Sequence, residues 1–181
     1  MAEKFHSSGG LSPEFALLGF LEEEPSYGYE LHQRLSAELG FVWHISQSQS
    51  YAILKRLETQ AYITSTKVEQ EKLPARQMLK ISPSGRRYFT AWLNAPTGNS
   101  VRAIRVELIT RLYFTYKKNP AKVHELINEQ VDVVNNNLAK LKGMLADAPD
   151  ERIFNRLGLE LRIQQLKSIL VWLNTCRERF Q

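Results

Sequence analysis

The residues best equipped for intermolecular chemistry lie between Ser46 and Arg76. Gln47, Ser48, Ser50, Tyr51 and Lys55 follow one another in a short stretch that is almost free of acids. Read at about 100° per residue, Gln47, Ser48, Tyr51 and Lys55 share the outer face of a helix, with Ser50 beside them. Gln and Ser donate and accept hydrogen bonds, Tyr51 sets a hydroxyl on a rigid ring, and Lys55 carries a cation. Lys72 and Arg76 add two further cations around Pro74. Hydrogen-bonding amides and hydroxyls beside cations suit a polyanion with readable edges, as duplex DNA is, where base contacts specify and phosphate contacts position. For the helix alone, a merely solvated polar face is the plainer alternative. Tyr51 has its own alternative, packing under a neighbouring hairpin with its hydroxyl wet, and Arg76 could instead pair with an acid such as Glu69.

Other chemistry finds little support. His6, His32, His44 and His124 have no spacing that resembles a metal set. A single cysteine, Cys176, excludes an internal disulfide and suits a reducing cytoplasm. There is no phosphate loop, no Gly-x-Ser-x-Gly and no His-Glu-x-x-His, so the expectation is a non-enzyme without cofactor or metal. The 181 residues, 43% hydrophobic and 24% charged, are ordinary for a globular chain. No stretch approaches the roughly 18 consecutive apolar residues of a membrane span, and Met1 to Gly10 has no apolar signal region. The net charge of +5 is unevenly placed. Residues 1–45 hold two bases against seven acids, 46–98 eight against three, and 99–181 fourteen against nine.

The elements that must position the polar face can be read on either side of it. Ser12, Pro13 and Glu14 signal a helix start with Ser as cap, and Phe15, Leu18 and Leu21 give it an apolar face. A second start at Ser26 leads to Leu31, Leu35 and Leu39, with Gly40 placed to end the helix in a left-handed conformation. Ser46 to Gln49 is a capping box, and the helix it opens turns Ile53, Leu54, Leu57 and Ala61 inward. Tyr62 to Val68 reads as a strand, 69–75 as a polar turn and Arg76 to Ile81 as a returning strand. Ser82 and Pro83 open another helix carrying Tyr88, Phe89, Trp92 and Leu93. Helix, helix, capped polar helix, hairpin, helix is the layout of a winged helix-turn-helix. Beyond a Pro/Gly/Ser-containing linker the chain reads as wholly helical. Apolar positions from Val123 run in threes and fours to Leu145. The last helix carries two apolar strips, Phe154, Leu157 and Leu161 on one side and Leu159, Ile163, Leu166, Leu170 and Leu173 on another. One partner cannot cover both, which points to a second copy of the chain.

The sequence resembles the PadR-like transcriptional regulators. The resemblance rests on Leu17, Leu18, Gly19 and Leu21; on Tyr27, Gly28, Tyr29 and Glu30; and on Gly40 and Trp43. It continues through Tyr51, Leu54, Arg56, Leu57 and Glu58, Pro74 and Arg76, then Ser82, Gly85, Arg86 and Trp92. Val101, Arg102, Glu107 and Leu108, followed by long helices ending near Trp172, resemble the C-terminal dimerisation domain of the Vir-type members. Where the family usually has Gly after the recognition helix, this chain has Ala61. The resemblance implies a dimeric cytoplasmic transcription regulator, usually a repressor, often released by a small molecule.

The expectations are therefore a mainly α protein with an α+β winged-helix domain over 11–95, after a tail at 1–10. A linker at 96–100 leads to a helical dimerisation domain over 101–181. Gln47, Ser48, Ser50, Tyr51, Lys55, Lys72 and Arg76 are expected on double-stranded operator DNA and Trp92 in an effector pocket for a small molecule. Leu159, Ile163, Leu166, Leu170 and Leu173 are expected at the homodimer contact. The competing reading is a helical dimer that binds a protein or ligand and whose winged domain no longer binds DNA.

Overall fold

The computed structural model describes residues 11–69 and 76–180. The chain divides into two compact units, one up to Ala95 and one from Pro96. Among the described residues no helix is long and apolar enough to cross a membrane.

The first unit is assembled around α1 (Glu14–Glu23), in which every residue from Ala16 to Leu21 is buried. A helix buried on all sides needs partners on all sides. The second helix, α2 (Gly28–Leu39), supplies Leu31, Leu35 and Leu39. From α3 (Gln47–Thr59) come Ile53, Leu54 and Leu57, and from α4 (Pro83–Leu93) come Phe89 and Trp92. A small antiparallel sheet closes the unit, with β3 (Arg76–Ile81) between β1 (Ser26–Tyr27) and β2 (Ile63–Val68). Tyr27 stands opposite Met78 and Ile63 opposite Ile81. This is the winged-helix arrangement, with β2 and β3 as the wing.

The acids at the ends of α1 fasten the helices around it. Glu14 pairs with Arg56 of α3 at 2.5 Å and accepts from the Tyr88 hydroxyl of α4 at 3.2 Å. Glu22 pairs with Arg86 of α4 at 2.9 Å, and Glu23 pairs with Arg34 of α2. Burial and the neighbouring Glu14 carboxylate push the Tyr88 phenol well above its ordinary range.

Two turns differ from the sequence reading. Ser12 does not cap α1. Pro13 holds that position, and the Ser12 hydroxyl instead accepts from Arg56 at 3.4 Å. Gly40 is not left-handed but right-handed, at φ −63°. The left-handed residue is Ala61, at φ 57° between α3 and β2. Its carbonyl accepts from the hydroxyls of Ser82 and Ser84 at 2.7 Å each, and the Ser82 N–H donates to Tyr62 O at 2.9 Å. These bonds hold the corner in a conformation that costs an L-residue about 1–2 kcal/mol. Opposite it, a Cβ on Gly85 would stand 2.0 Å from Tyr62 O, so the start of α4 can approach only without a side chain.

The second unit opens with a continuous helical stretch. It runs from α5 (Val101–Ala103) through a π-helical turn (Ile104–Leu108) into α6 (Ile109–Lys118). Two long helices follow, α7 (Val123–Ala146) and α8 (Ile153–Arg179). Ile104, Leu108 and Leu112 share one core with Val123, Ile127, Val134, Leu138 and Leu141 of α7 and with Ile163, Leu166, Leu173 and Cys176 of α8. Burial raises the Cys176 thiol above its ordinary range, which makes it inert as a thiolate.

The corner generates a paired prediction for thermal or urea unfolding. Gly85→Ala should destabilise the protein by about 1–3 kcal/mol, the usual cost of overpacking against backbone that cannot move aside. Ala61→Gly should stabilise it by up to about 1 kcal/mol, since relief of the left-handed strain exceeds the entropy that glycine adds. A Gly85→Ala midpoint equal to wild type would show that the corner relaxes freely.

Candidate nucleic-acid interface

The capping box forms as the sequence requires. Ser46 Oγ accepts from the Gln49 N–H at 3.2 Å and Gln49 Oε1 accepts from the Ser46 N–H at 2.8 Å. The cap fixes where α3 begins, and so which side chains follow on each face. Gln47, Ser48 and Lys55 are exposed and Tyr51 is 46% exposed, all on the face away from α1. Among the described residues Lys55 pairs with no acid. Arg56, one position on, is half exposed and pairs with Glu14.

Ser50 is not part of that face. It is 0% exposed, and its hydroxyl lies 2.9 Å from His32 Nδ1 of α2. The cause is helical period: Ser50, Ile53, Leu54 and Leu57 fall at i, i+3, i+4 and i+7, which is the buried stripe. Ser50 packs α3 on α2 and does not face outward. Lys72 lies outside the described residues, as does the turn around Pro74.

Arg76 begins β3 opposite Val68 of β2. Its guanidinium carbon lies 5.8 Å from the Tyr27 ring centre and 5.5 Å from that of Tyr29, two rings stacked at 6.2 Å. Arg76 Nη1 also donates to the Tyr29 hydroxyl at 3.4 Å. Tyr29 Oη in turn donates to Glu30 Oε1 at 2.9 Å. The other Glu30 oxygen accepts from Ser26 Oγ at 3.0 Å and from the Tyr27 N–H at 3.1 Å. The Tyr27 N–H above all holds the Glu30 carboxyl below the ordinary range, and the bond given to Glu30 raises the Tyr29 phenol. Tyr27, Gly28, Tyr29, Tyr51, Arg76 and Gln77 line an open cleft of about 490 Å³ beside the exposed face of α3.

The sequence reading named Tyr51 and Arg76 but missed Tyr27, Tyr29 and Gln77 as their neighbours. The short β1 strand brings them together, and only strand register could have revealed it. Trp92 is not at that cleft. Its indole is 6% exposed and stacked on Phe15 at 4.4 Å and 4°, with Phe89 at 5.9 Å. It is a core aromatic of the first unit, because the apolar face of α4 closes on α1. In the second unit the expected dimer strip is largely spent within the chain. Ile163, Leu166 and Leu173 are buried, and Leu159 and Leu170 pack partly buried against the same core. The strip left open is the other one, with Ile153 and Phe154 followed by Leu157 and Leu161; Phe154 is 86% exposed.

Comparison with known proteins finds the family model described as Transcriptional regulator PadR-like family over residues 17–91. A second model, Virulence activator alpha C-term, matches residues 104–181. The chain is similar to "Probable transcriptional regulator Rv1176c" of Mycobacterium tuberculosis, 31% identical over 105 residues. That alignment takes in 51% of this chain and 56% of the relative, little more than half its length. It is also similar to "Negative transcriptional regulator PadR" of Bacillus subtilis, 27% identical over 133 residues, covering 72% of this chain and 71% of that one. Among solved structures, Bacillus subtilis PadR in complex with operator DNA superposes at a TM-score of 0.45 and 23% identity, over 93% of this chain and 98% of that chain.

The Glu30 cluster makes the start of α2 sensitive to acid. A carboxyl held below its ordinary value stabilises the fold above the unfolded value of about 4.3, and the contribution disappears as pH falls through the folded value. Glu30→Gln should therefore lower the urea midpoint at pH 7, by a margin that narrows at pH 3. An equal difference at both pH values would remove the charged carboxylate from the account.

Proposed function

We propose, since the chain belongs to the PadR-like transcriptional regulator family, that it is a sequence-specific DNA-binding transcriptional regulator, a non-enzymatic cytoplasmic dimer that acts as a repressor. The observation that carries the proposal is the exposed face of α3 with Gln47, Ser48, Tyr51 and Lys55, capped at Ser46 and flanked by the wing; the one acid of the helix, Glu58 in the last turn, accepts from the Ser65 hydroxyl of β2. In a winged helix the second helix of the pair enters the major groove. Gln47 and Ser48, in the first turn, then reach base edges, while Lys55 neutralises a phosphate further along the helix. Small-molecule control of operator binding, which the family resemblance implies, belongs to the same proposal.

The open strip of α8 supports the dimer. Exposed Phe154, Leu157 and Leu161 recur at helical spacing on one side of a helix whose other strip is already covered. A contiguous apolar strip on a soluble helix marks a protein contact, and a second copy carries the same strip in a geometry that a two-fold axis can satisfy.

Gel-shift titration against genomic fragments tests the regulator. At physiological salt some fragment should be retained at least about 1000-fold more tightly than random DNA; no such fragment would sink the proposal. Lys55→Ala should weaken binding to every sequence alike and reduce the salt slope by about 1 per half-site, whereas Gln47→Ala should relax preference at one position. A Lys55→Ala protein with an unaltered slope would take Lys55 off the backbone. For the assembly, light scattering should give roughly 42 kDa, twice the 20.9 kDa chain. The double variant Leu157→Asp, Leu161→Asp should give the monomer mass, and a wild-type monomer would refute the dimer.

A further inference from the structure

The cleft between the start of α2, the face of α3 and the start of β3 holds more machinery than the major-groove contacts use. We propose that it clamps a single phosphate of the DNA backbone, with Arg76 and the Tyr51 hydroxyl as the contacting groups and Tyr29 and Glu30 as the residues that hold Arg76 in place. The proposal rests on the DNA-binding reading and assigns a place and a mechanism to one contact within it.

Arg76 is unusually well fixed for an arginine next to a wing. Two tyrosine rings stand within 6 Å of its guanidinium carbon, which is cation–π range, and the Tyr29 oxygen accepts from Nη1. A guanidinium carries five N–H donors, and among the described residues only Nη1 is engaged. The others can take two phosphate oxygens side by side, the geometry in which arginine exceeds lysine. Pre-ordering by the rings removes much of the rotamer entropy that such a contact otherwise costs.

Glu30 acts without neutralising that charge. Its carboxylate is satisfied by Ser26 Oγ, the Tyr27 N–H and Tyr29 Oη, and it makes no ion pair with Arg76. Because the Tyr29 proton is directed at Glu30, the Tyr29 oxygen offers its lone pairs to Arg76. The relay Glu30, Tyr29, Arg76 thus fixes the direction of the cation and leaves its charge for an incoming anion. Among the described residues the Tyr51 hydroxyl has no partner. Its ring sits against Gly28, where a Cβ would come within 2.8 Å of Cε1. Glycine at 28 lets that ring form a wall of the cleft. Donors from Arg76, Tyr51 and Gln77 suit an anion, and the cleft opens beside α3, one turn from Lys55, as a continuing strand requires.

The test is a cycle of protein and DNA changes on the full chain, using a DNA site selected in vitro. Each backbone phosphate is replaced in turn by a neutral methylphosphonate, and affinity is measured for wild type, Arg76→Gln, Tyr29→Phe and Gly28→Ala. At one position per half-site the wild type should lose about tenfold, while Arg76→Gln, already about tenfold weaker, should lose less than about twofold more. Tyr29→Phe and Gly28→Ala should each cost about threefold, and this cost should vanish at that same position, which a general loss of stability would not produce. Losses that simply add at every position would overturn the clamp while leaving DNA binding intact. A wild type that binds no DNA would overturn the regulator and the clamp together. Coupling of Arg76 to a phosphate that neither Tyr29→Phe nor Gly28→Ala shares would reduce the cleft to a lone surface arginine and overturn the positioning roles.

Discussion

The first unit depends on one constraint: α1 is apolar on every side over its middle residues and must be enclosed. Burying side chains of this size yields about 1.5–3 kcal/mol each, whereas partly exposed ion pairs yield roughly 0–1 kcal/mol. The burial of Leu17, Leu18, Phe20 and Leu21 is therefore what holds α2, α3 and α4 in place. The ion pairs at the two ends of α1 have a different role. Glu14 grips Arg56, Glu22 grips Arg86 and Glu23 grips Arg34, one acid to each of the three surrounding helices. A hydrophobic contact alone lets a helix slide or rotate, and a fixed charge pair at its margin sets the rotation. For α3 this matters, because the Arg56–Glu14 pair at its margin fixes the rotation that leaves Lys55 and Tyr51 exposed.

The same pairs reinterpret the charge pattern. The seven acids among residues 1–45 and the eight bases among 46–98 look like two opposed blocks in the sequence. In the fold they partly cancel, since Arg56 and Arg86 are spent on acids of α1. What remains positive among the described residues of 46–98 is a smaller set: Lys55 on α3, Arg76 where β3 leaves the hairpin turn, exposed Lys67 and Lys80 on the wing strands, and exposed Arg87 on α4. The positive field of the first unit depends on where these cations stand, and the total of +5 carries no such information.

Much of this was legible in the sequence because the signals were local. The Ser46 capping box, the hairpin strands and the Ser82, Pro83 start each depend on residues three or four apart, and each appears in the structure. Expectations failed where the deciding partner was remote. Ser12 looked like a cap but its hydroxyl is taken by Arg56, and Gly40 looked like a left-handed stop although the chain turns left-handed at Ala61 instead. That substitution for the family glycine was visible. Its consequence was not, because the serines that hold the corner come from the far side of the wing. Ser50 was different in kind: its place on the buried stripe followed from the helical period alone, but its polarity outweighed its position.

The two strips of α8 show how a sequence can display two surfaces without saying which is used where. The connection from α7 to α8 spans only 147–152, so the two helices meet at an effective concentration that no second molecule can match. Whichever strip suits the α7 seam is consumed first, and that is the run from Leu159 to Leu173, whose spacing matches the threes and fours of α7. The shorter strip at Ile153, Phe154, Leu157 and Leu161 lies near the start of α8, about 180° around the helix from the first. An amphipathic helix in a closed monomer has no use for a second apolar stripe. The four apolar positions of the shorter strip share one face that the contact between α7 and α8 leaves exposed.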